Sequence, residues 1–362
     1  GMFIIGQATE DSGYLTHICY KFFGKVKSVD KLVLVVLFTM GIGSAVLMND
    51  TIAIIGTPVM ILLAKRNNIS TKLLLLTLAF AITIGSVMSP IGNPQNLLIA
   101  MGGDVGNPFI TFLKYLFVPT VINLFFAYFL LKLFYKKDFS KTNLRPSREH
   151  IKHVRLSKVA RISLIIVICL ILAKVALAFL KFYVNIDFNF KLTYISLVGC
   201  SPILIYRFMS KKKKYRFHIL RKIDWFTLIF FASMFVLMES VWQTGYFQSL
   251  ISSLSLDMTN IVVITIASVF VSQLISNVPM VALFLPIIIS AGSGARELMS
   301  LAAGSTIAGN LFILGAASNI IIIQHAEKEN NGESINFIEF AKVGIPLTII
   351  NISVYLFYLW VI

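Results

Sequence analysis

Residues 89–100 read SPIGNPQNLLIA. They lie inside an apolar run from Leu73 to Met101 that is long enough to cross a membrane. Yet two prolines, a glycine, two asparagines and a glutamine fall within eight residues there. Pro90 and Pro94 remove backbone donors and disfavour a straight helix. Gly92 tolerates backbone that other residues resist. Irregular backbone at membrane depth survives only where it is buried in protein or lines a watery cavity. The stretch therefore predicts a helix that stops and restarts. Its free N–H end can hold an anion, and its free carbonyl end a cation.

The rest of the chain fits that reading. Of 362 residues, 57% are hydrophobic and 13% charged, whereas soluble domains carry about a quarter charged residues. Several apolar runs approach the ~20 residues that span a bilayer. The expected fold class is an all-α polytopic membrane protein. Cys19, Cys169 and Cys200 are scattered and give no metal or disulfide spacing.

The net charge of +16 could suggest nucleic acid, but its distribution excludes that partner. Of 32 basic residues, 25 fall in three clusters: Lys21–Lys72, Lys132–Arg161 and Arg207–Lys222. Cytoplasmic loops of membrane proteins collect Lys and Arg. Two apolar spans, 73–101 and 109–131, separate the first cluster from the second. Two more, 162–180 and 192–206, separate the second from the third. One topology thus puts loops 132–161 and 207–222 in the cytoplasm, with the protein in the cell membrane. Binding of anionic lipid is a secondary role for such loops.

Four blocks recur in the same order. MFIIGQATEDSGYL (2–15) resembles MFVLMESVWQTGYF (234–247), with Gly13 on Gly245. Around Asn49 and Pro58 the chain resembles itself around Asn277 and Pro286, at an offset of 228. IGNPQNLLI (91–99) resembles LGAASNIII (314–322), with Gly92 and Asn96 on Gly315 and Asn319, at 223. Phe109, Phe112, Lys114, Thr120 and Asn123 match Phe337, Phe340, Lys342, Thr348 and Asn351, again at 228. The flanks of 32–64 are basic, whereas the matching flanks, 246–259 and 292–297, hold only Arg296. The copies therefore face opposite sides: two inverted-topology repeats, an arrangement typical of secondary transporters. Residues 1–135 form the first repeat, 136–161 a basic cytoplasmic linker, and 162–362 the second repeat.

The apolar halves 32–48 and 51–64 meet at Asn49-Asp50 and are each shorter than a full span. The second copy, 260–291, meets at Asn277-Val278-Pro279. Both are expected to be re-entrant hairpins with tips near the membrane middle; two tilted full spans joined by a polar turn are the alternative. Each repeat then holds one hairpin and one broken helix, among eight spans in all. The two tips and two breaks should form one polar site. Its substrate-binding residues are Asn49, Thr51, Gly92, Asn93, Gln95, Asn96, Ser276, Asn277, Gly315, Ser318 and Asn319.

At these residues the chain resembles the ion transporter superfamily, which includes arsenical-pump permeases, citrate transporters, NhaD-type sodium/proton antiporters and divalent anion/sodium symporters. NDTIAIIGTP (49–58) resembles the Asn-Asp hairpin tip of the arsenical-pump-like branch. SPIGNPQNLLI (89–99) resembles the broken helix of its anion permeases, and SNVPMVALFLP (276–286) the second-half hairpin. The symporter branch carries Ser-Asn-Thr at both tips. Met48-Asn49-Asp50-Thr51 and Ser276-Asn277-Val278 depart from it, and from the sodium-coupled dicarboxylate uptake it accompanies. The resemblance also implies helices before Met2, matching 157–233, so roughly 70–80 further residues are expected there.

Carboxylates within membrane segments are functional candidates. Asp50 sits at the first tip and Glu239 within 224–244; both are candidate coupling-ion sites. The histidines His17, His150, His153, His218 and His325 fall at span ends or in loops without a metal-ligand cluster. No H-E-x-x-H, G-x-S-x-G or P-loop occurs, so no enzyme chemistry is expected, and no cofactor beyond a coupling Na+ or H+. The expected function is secondary transport of a small inorganic or organic anion or oxyacid, coupled to protons or sodium. A sodium/proton antiporter and a passive anion channel are the alternatives, and a homodimer in the lipid bilayer is compatible with each.

Overall fold

The computed structural model describes residues 1–14, 17, 23, 26–103, 105–141, 144, 153–183, 191–209, 221, 225–254, 256–329 and 334–362. Cys19, His150, His218 and the basic stretches 145–152 and 210–220 lie outside the described residues. Among the described residues the regular structure is helical, with no strand. The chain packs as two units: residues 1–25 with 146–228, and residues 26–145 with 229–362.

The first unit holds α1 (Met2–Ser12), α7 (Val154–Tyr183) and α8 (Leu192–Phe208), which pack on one another. Gly199 lets α8 approach α7, since a Cβ there would stand 2.4 Å from Val167 Cγ2. The largely buried side chains of Asp11 and Arg207 pair at 3.5 Å. α1 ends at Gly13 with φ 69, and Gly245, its match in the repeat, also has φ 69.

The second unit opens with α2 (Val29–Leu47) and α3 (Asn49–Asn67), joined at Met48. α4 (Thr71–Ser86) and α5 (Pro94–Gly102) are the halves of the broken helix, and α6 (Pro108–Phe134) follows. After α9 (Trp225–Gln243), whose residues from 229 belong to this unit, and α10 (Tyr246–Ser253), the pattern recurs. α11 (Ile261–Ile275) and α12 (Asn277–Ser290) meet at Ser276. α13 (Ala295–Ile307) and α14 (Ala317–Glu329) flank the second break, and α15 (Phe337–Val361) closes the chain.

Among the described residues, α2, α6, α15 and Val154–Leu177 of α7 are long and apolar enough to cross a membrane. Shorter apolar helices are α4, α11, α12 and Thr193–Phe208 of α8. This is a multi-pass membrane protein. The first hairpin differs from its sequence expectation in length. Its arms run 29–47 and 49–67, not 32–48 and 51–64, and each rises about 28 Å, close to a full hydrocarbon core. The second pair, of 15 and 14 residues, rises only about 22 and 21 Å.

Corresponding helices make corresponding contacts. α4 packs on α2 as α13 packs on α11, and α3 packs on α14 as α12 packs on α5. Gly85 permits the α4–α2 approach, because a Cβ there would stand 2.2 Å from Gly41 O. A Cβ on Gly304 would stand 2.8 Å from Thr265 O on α11. The mates α6 and α15 pack on each other. Lys114 O accepts from Tyr358 at 3.5 Å, Thr120 bonds Tyr355 at 2.7 Å, and Asn123 Nδ2 donates to Asn351 O at 3.4 Å. Numbers rise on one helix as they fall on the other, so α6 and α15 run antiparallel. Phe117, Phe125 and Phe129 of α6 are exposed, a surface suited to lipid.

Candidate functional site

Each hairpin turns on one residue. Met48 has φ 69 and ψ 141, and Ser276, its match at 228, has φ 71 and ψ 162. Such conformations in residues other than glycine cost on the order of 1–3 kcal/mol and persist where surrounding structure enforces them. Here the strain lets one helix end and another start within a single residue. Asn49 N donates to Gly92 O at 2.9 Å and ties the first tip to the first break. On the second hairpin, Gln273 Nε2 donates to Ala308 O at 2.8 Å, which ties α11 to the second break.

The first break is saturated with hydrogen bonds. Asn93 caps α5 by accepting from Asn96 N at 2.8 Å. Asn96 Nδ2 reaches the carbonyls of Ser86, Val87 and Ser89 at 3.1, 3.2 and 3.1 Å, at and just beyond the end of α4. Asn93 Nδ2 donates to Ser86 Oγ at 3.1 Å and to Thr306 Oγ1 at 3.2 Å. Gln95 Nε2 also approaches Thr306 Oγ1, at 3.4 Å. Thr306 donates to Asn96 Oδ1 at 3.2 Å. One threonine of α13 thus gathers three amides of the other repeat. Gly92 is needed for the compact turn, since a Cβ would stand 2.4 Å from Ser86 O.

The second break repeats the central bond. Asn319 Nδ2 donates to Gly309 O at 2.7 Å, and Gly309 matches Ser86 at the same offset of 223. Gly315 again leaves no room for a Cβ, which would stand 2.5 Å from Ala308 O. Here, however, acceptors stay open. Asn277 Oδ1, Gln273 Oε1, Ser318 Oγ and Asn319 Oδ1 are buried without a hydrogen-bond partner. All four are oxygens, so this half of the centre offers acceptors and hydroxyls where the first offers engaged amides.

The predicted residues fall as follows. Asn49, Asp50, Thr51, Asn93, Gln95, Asn96, Asn277, Ser318 and Asn319 are buried, as are Gly92 and Gly315, and Ser276 is half-buried. Hydrogen bonds link Asn49, Gly92, Asn93, Gln95 and Asn96 through Thr306 to α13. Asp50, 4% exposed, sits in the first turn of α3, where the helix dipole favours a carboxylate. Glu239 lies elsewhere: it is exposed on α9 and accepts from Gln243 at 2.9 Å. Sequence reasoning missed Thr306, Ser86 and Gln273. Extending the match at 223 upstream finds the first two, because TIGS (83–86) aligns with TIAG (306–309).

Paired helix breaks and paired strained tips, walled by buried amides in a bundle of long apolar helices, define a membrane transporter. The chain belongs to the Citrate transporter family, which it matches over residues 1–297. It is 26% identical to the "46 kDa membrane protein" of Mycobacterium leprae, over 91% of this chain and 77% of that protein. An "Uncharacterized transporter" of Mycobacterium tuberculosis is 25% identical, over 91% of this chain and 76% of its own length. The "P protein" of Homo sapiens is 23% identical, over the whole chain and 52% of that protein.

Proposed function

We propose that this chain is a secondary transporter that moves a small anion or oxyacid across the cell membrane. Its two repeats are inverted in the bilayer, and the loops 132–161 and 207–222 lie on the cytoplasmic side. The observation that carries the reading is the charge difference between matched tips. Asp50 puts a buried carboxylate at one, and Val278 takes its place at the other. The antiparallel pairing of α6 with α15 supports inversion. The family's name supports a carboxylate-bearing anion as cargo.

Half-helix N-termini, with amides released from the bonds that engage them in this state, replace the hydration shell of the anion. Asp50 carries the coupling ion. A carboxylate in a low-dielectric site takes up a proton readily, and a sodium ion neutralises it equally well. Either event removes a buried charge and favours the state that reopens on the other side.

Uptake into proteoliposomes tests this, with labelled citrate, phosphate, sulfate and arsenite under an imposed pH or sodium gradient. Accumulation of at least one solute above its equilibrium level, with counterflow, is the expected result. Downhill flux without counterflow would make the protein a channel. Sodium-driven proton movement with none of these solutes transported would make it an antiporter.

A further inference from the structure

Thr83 on α4 and Thr306 on α13 are mates at the offset that relates the two breaks. Thr306 crosses to the other repeat and donates to Asn96 Oδ1 at 3.2 Å. The same operation applied to Thr83 gives a bond to Asn319 Oδ1. That bond is not made: Thr83 Oγ1 and Asn319 Oδ1 both lack a partner, although each residue is only 1% exposed. The two sit close together. Thr83 Cγ2 lies 3.3 Å from where a Cβ on Gly309 would stand, and Gly309 O holds the Asn319 amide at 2.7 Å. The threonine therefore turns its methyl, not its hydroxyl, toward the second break.

Buried polar atoms are nearly always paired, and leaving two open is costly. Room for rearrangement exists around them. The first break carries Ser86, Asn93 and Gln95 where the second carries Gly309, Ala316 and Ser318. In a protein of inverted repeats, the state open to the opposite side is reached as one repeat rocks or gates against the other, and the pseudo-symmetry relates the two states. A contact made by one half in one state is then made by its mate in the other.

We propose that Thr83 and Thr306 are positioning residues of the transport site, two clasps of which one is closed at a time. Thr306–Asn96 holds the state described here. Thr83–Asn319 closes as Thr306–Asn96 opens. The proposal rests on the inverted-repeat transporter reading above.

The experiment uses the full chain in proteoliposomes, with Cys19, Cys169 and Cys200 replaced by serine and Ser318→Cys as reporter. A membrane-impermeant maleimide is applied from either side, and the ratio of labelling rates is read. Loss of one net hydrogen bond shifts a two-state population about fivefold. Thr306→Val should move the ratio about fivefold one way, and Thr83→Val about fivefold the other. The double variant should return near the parent, and Thr→Ser at either position should leave the ratio unchanged. Thermal midpoints check folding, and Thr→Ala serves where valine fails to accumulate. Shifts in the same direction, or none, overturn the clasp while leaving the transporter reading intact. A reporter labelled from one side only in every variant, the parent included, overturns both.

Discussion

Asn123 on α6 donates its amide to the backbone carbonyl of Asn351 on α15 across 3.4 Å, and the two residues are mates in the repeat. A residue that touches its own mate marks the place where the two halves meet about their common axis. The Asn351 side chain reaches further, since its Oδ1 accepts from Asn310 beside the second break, at 3.1 Å. Replacing Asn351 with leucine strands the buried Asn310 amide. It should cost about 1–3 kcal/mol, seen as a lower thermal midpoint in detergent. Asn123→Leu should cost less, and the reverse order would contradict this hierarchy.

At the tips, strain sets the prediction. Ser276→Gly removes the penalty of φ 71 and loses little packing. It should stabilise the protein by about 1 kcal/mol after the entropy cost of glycine. Ser276→Val should destabilise by a similar amount. Chemical denaturation of the purified protein reads both, and a destabilising glycine would show that the tip is not strained.

Close helix approach gives a sharper case. Gly85→Ala drives a Cβ to 2.2 Å from the backbone of Gly41, which no rotamer change can relieve. The variant should lose several kcal/mol and fail to elute as a single peak in size-exclusion chromatography. Gly294→Ala, whose Cβ meets only Glu297 Oε2 at 3.4 Å, should fold normally. Equal behaviour of the two would refute the packing argument.

Coupling is tested at Asp50. Asp50→Asn should abolish gradient-driven accumulation, a loss of tenfold or more, while exchange of the same solute persists. Should accumulation keep its dependence on pH and sodium, Asp50 is structural, and Glu239→Gln is the next variant to measure. The exposure of Glu239 on α9 ranks it second.

Much of this architecture was legible because its exceptions are chemically loud. Proline, glycine and asparagine inside an apolar run announce a break, and matched copies announce a repeat. The length of the first hairpin was less legible. Its arms continue through Asp30 at the start of α2 and Lys65 and Arg66 at the end of α3. Hydropathy stops at these residues, but the helix dipole welcomes an acid at its first turn and bases at its last. Thr306 escaped notice because a lone threonine in an apolar helix carries no signal until the partner amides of Asn93, Gln95 and Asn96 are placed around it. The setting of Glu239 was not legible either: a carboxylate in an apolar segment draws attention, yet sequence does not tell which way the helix turns it, and here it is exposed.

The self-contact at Asn123 and Asn351 bears on ancestry. A half-length chain inserted in both orientations would bring its own asparagine against an identical one at this point, so a single gene could have supplied both halves. Joining the halves frees each from the need to match the other. Tyr355 shows that freedom: it bonds Thr120 at 2.7 Å, while its mate is the buried Ala127 and the hydroxyl of Thr348, the mate of Thr120, has no partner. A tyrosine on one side of the axis fills space that two would have to share. The seam thus carries the large side chain on one half only.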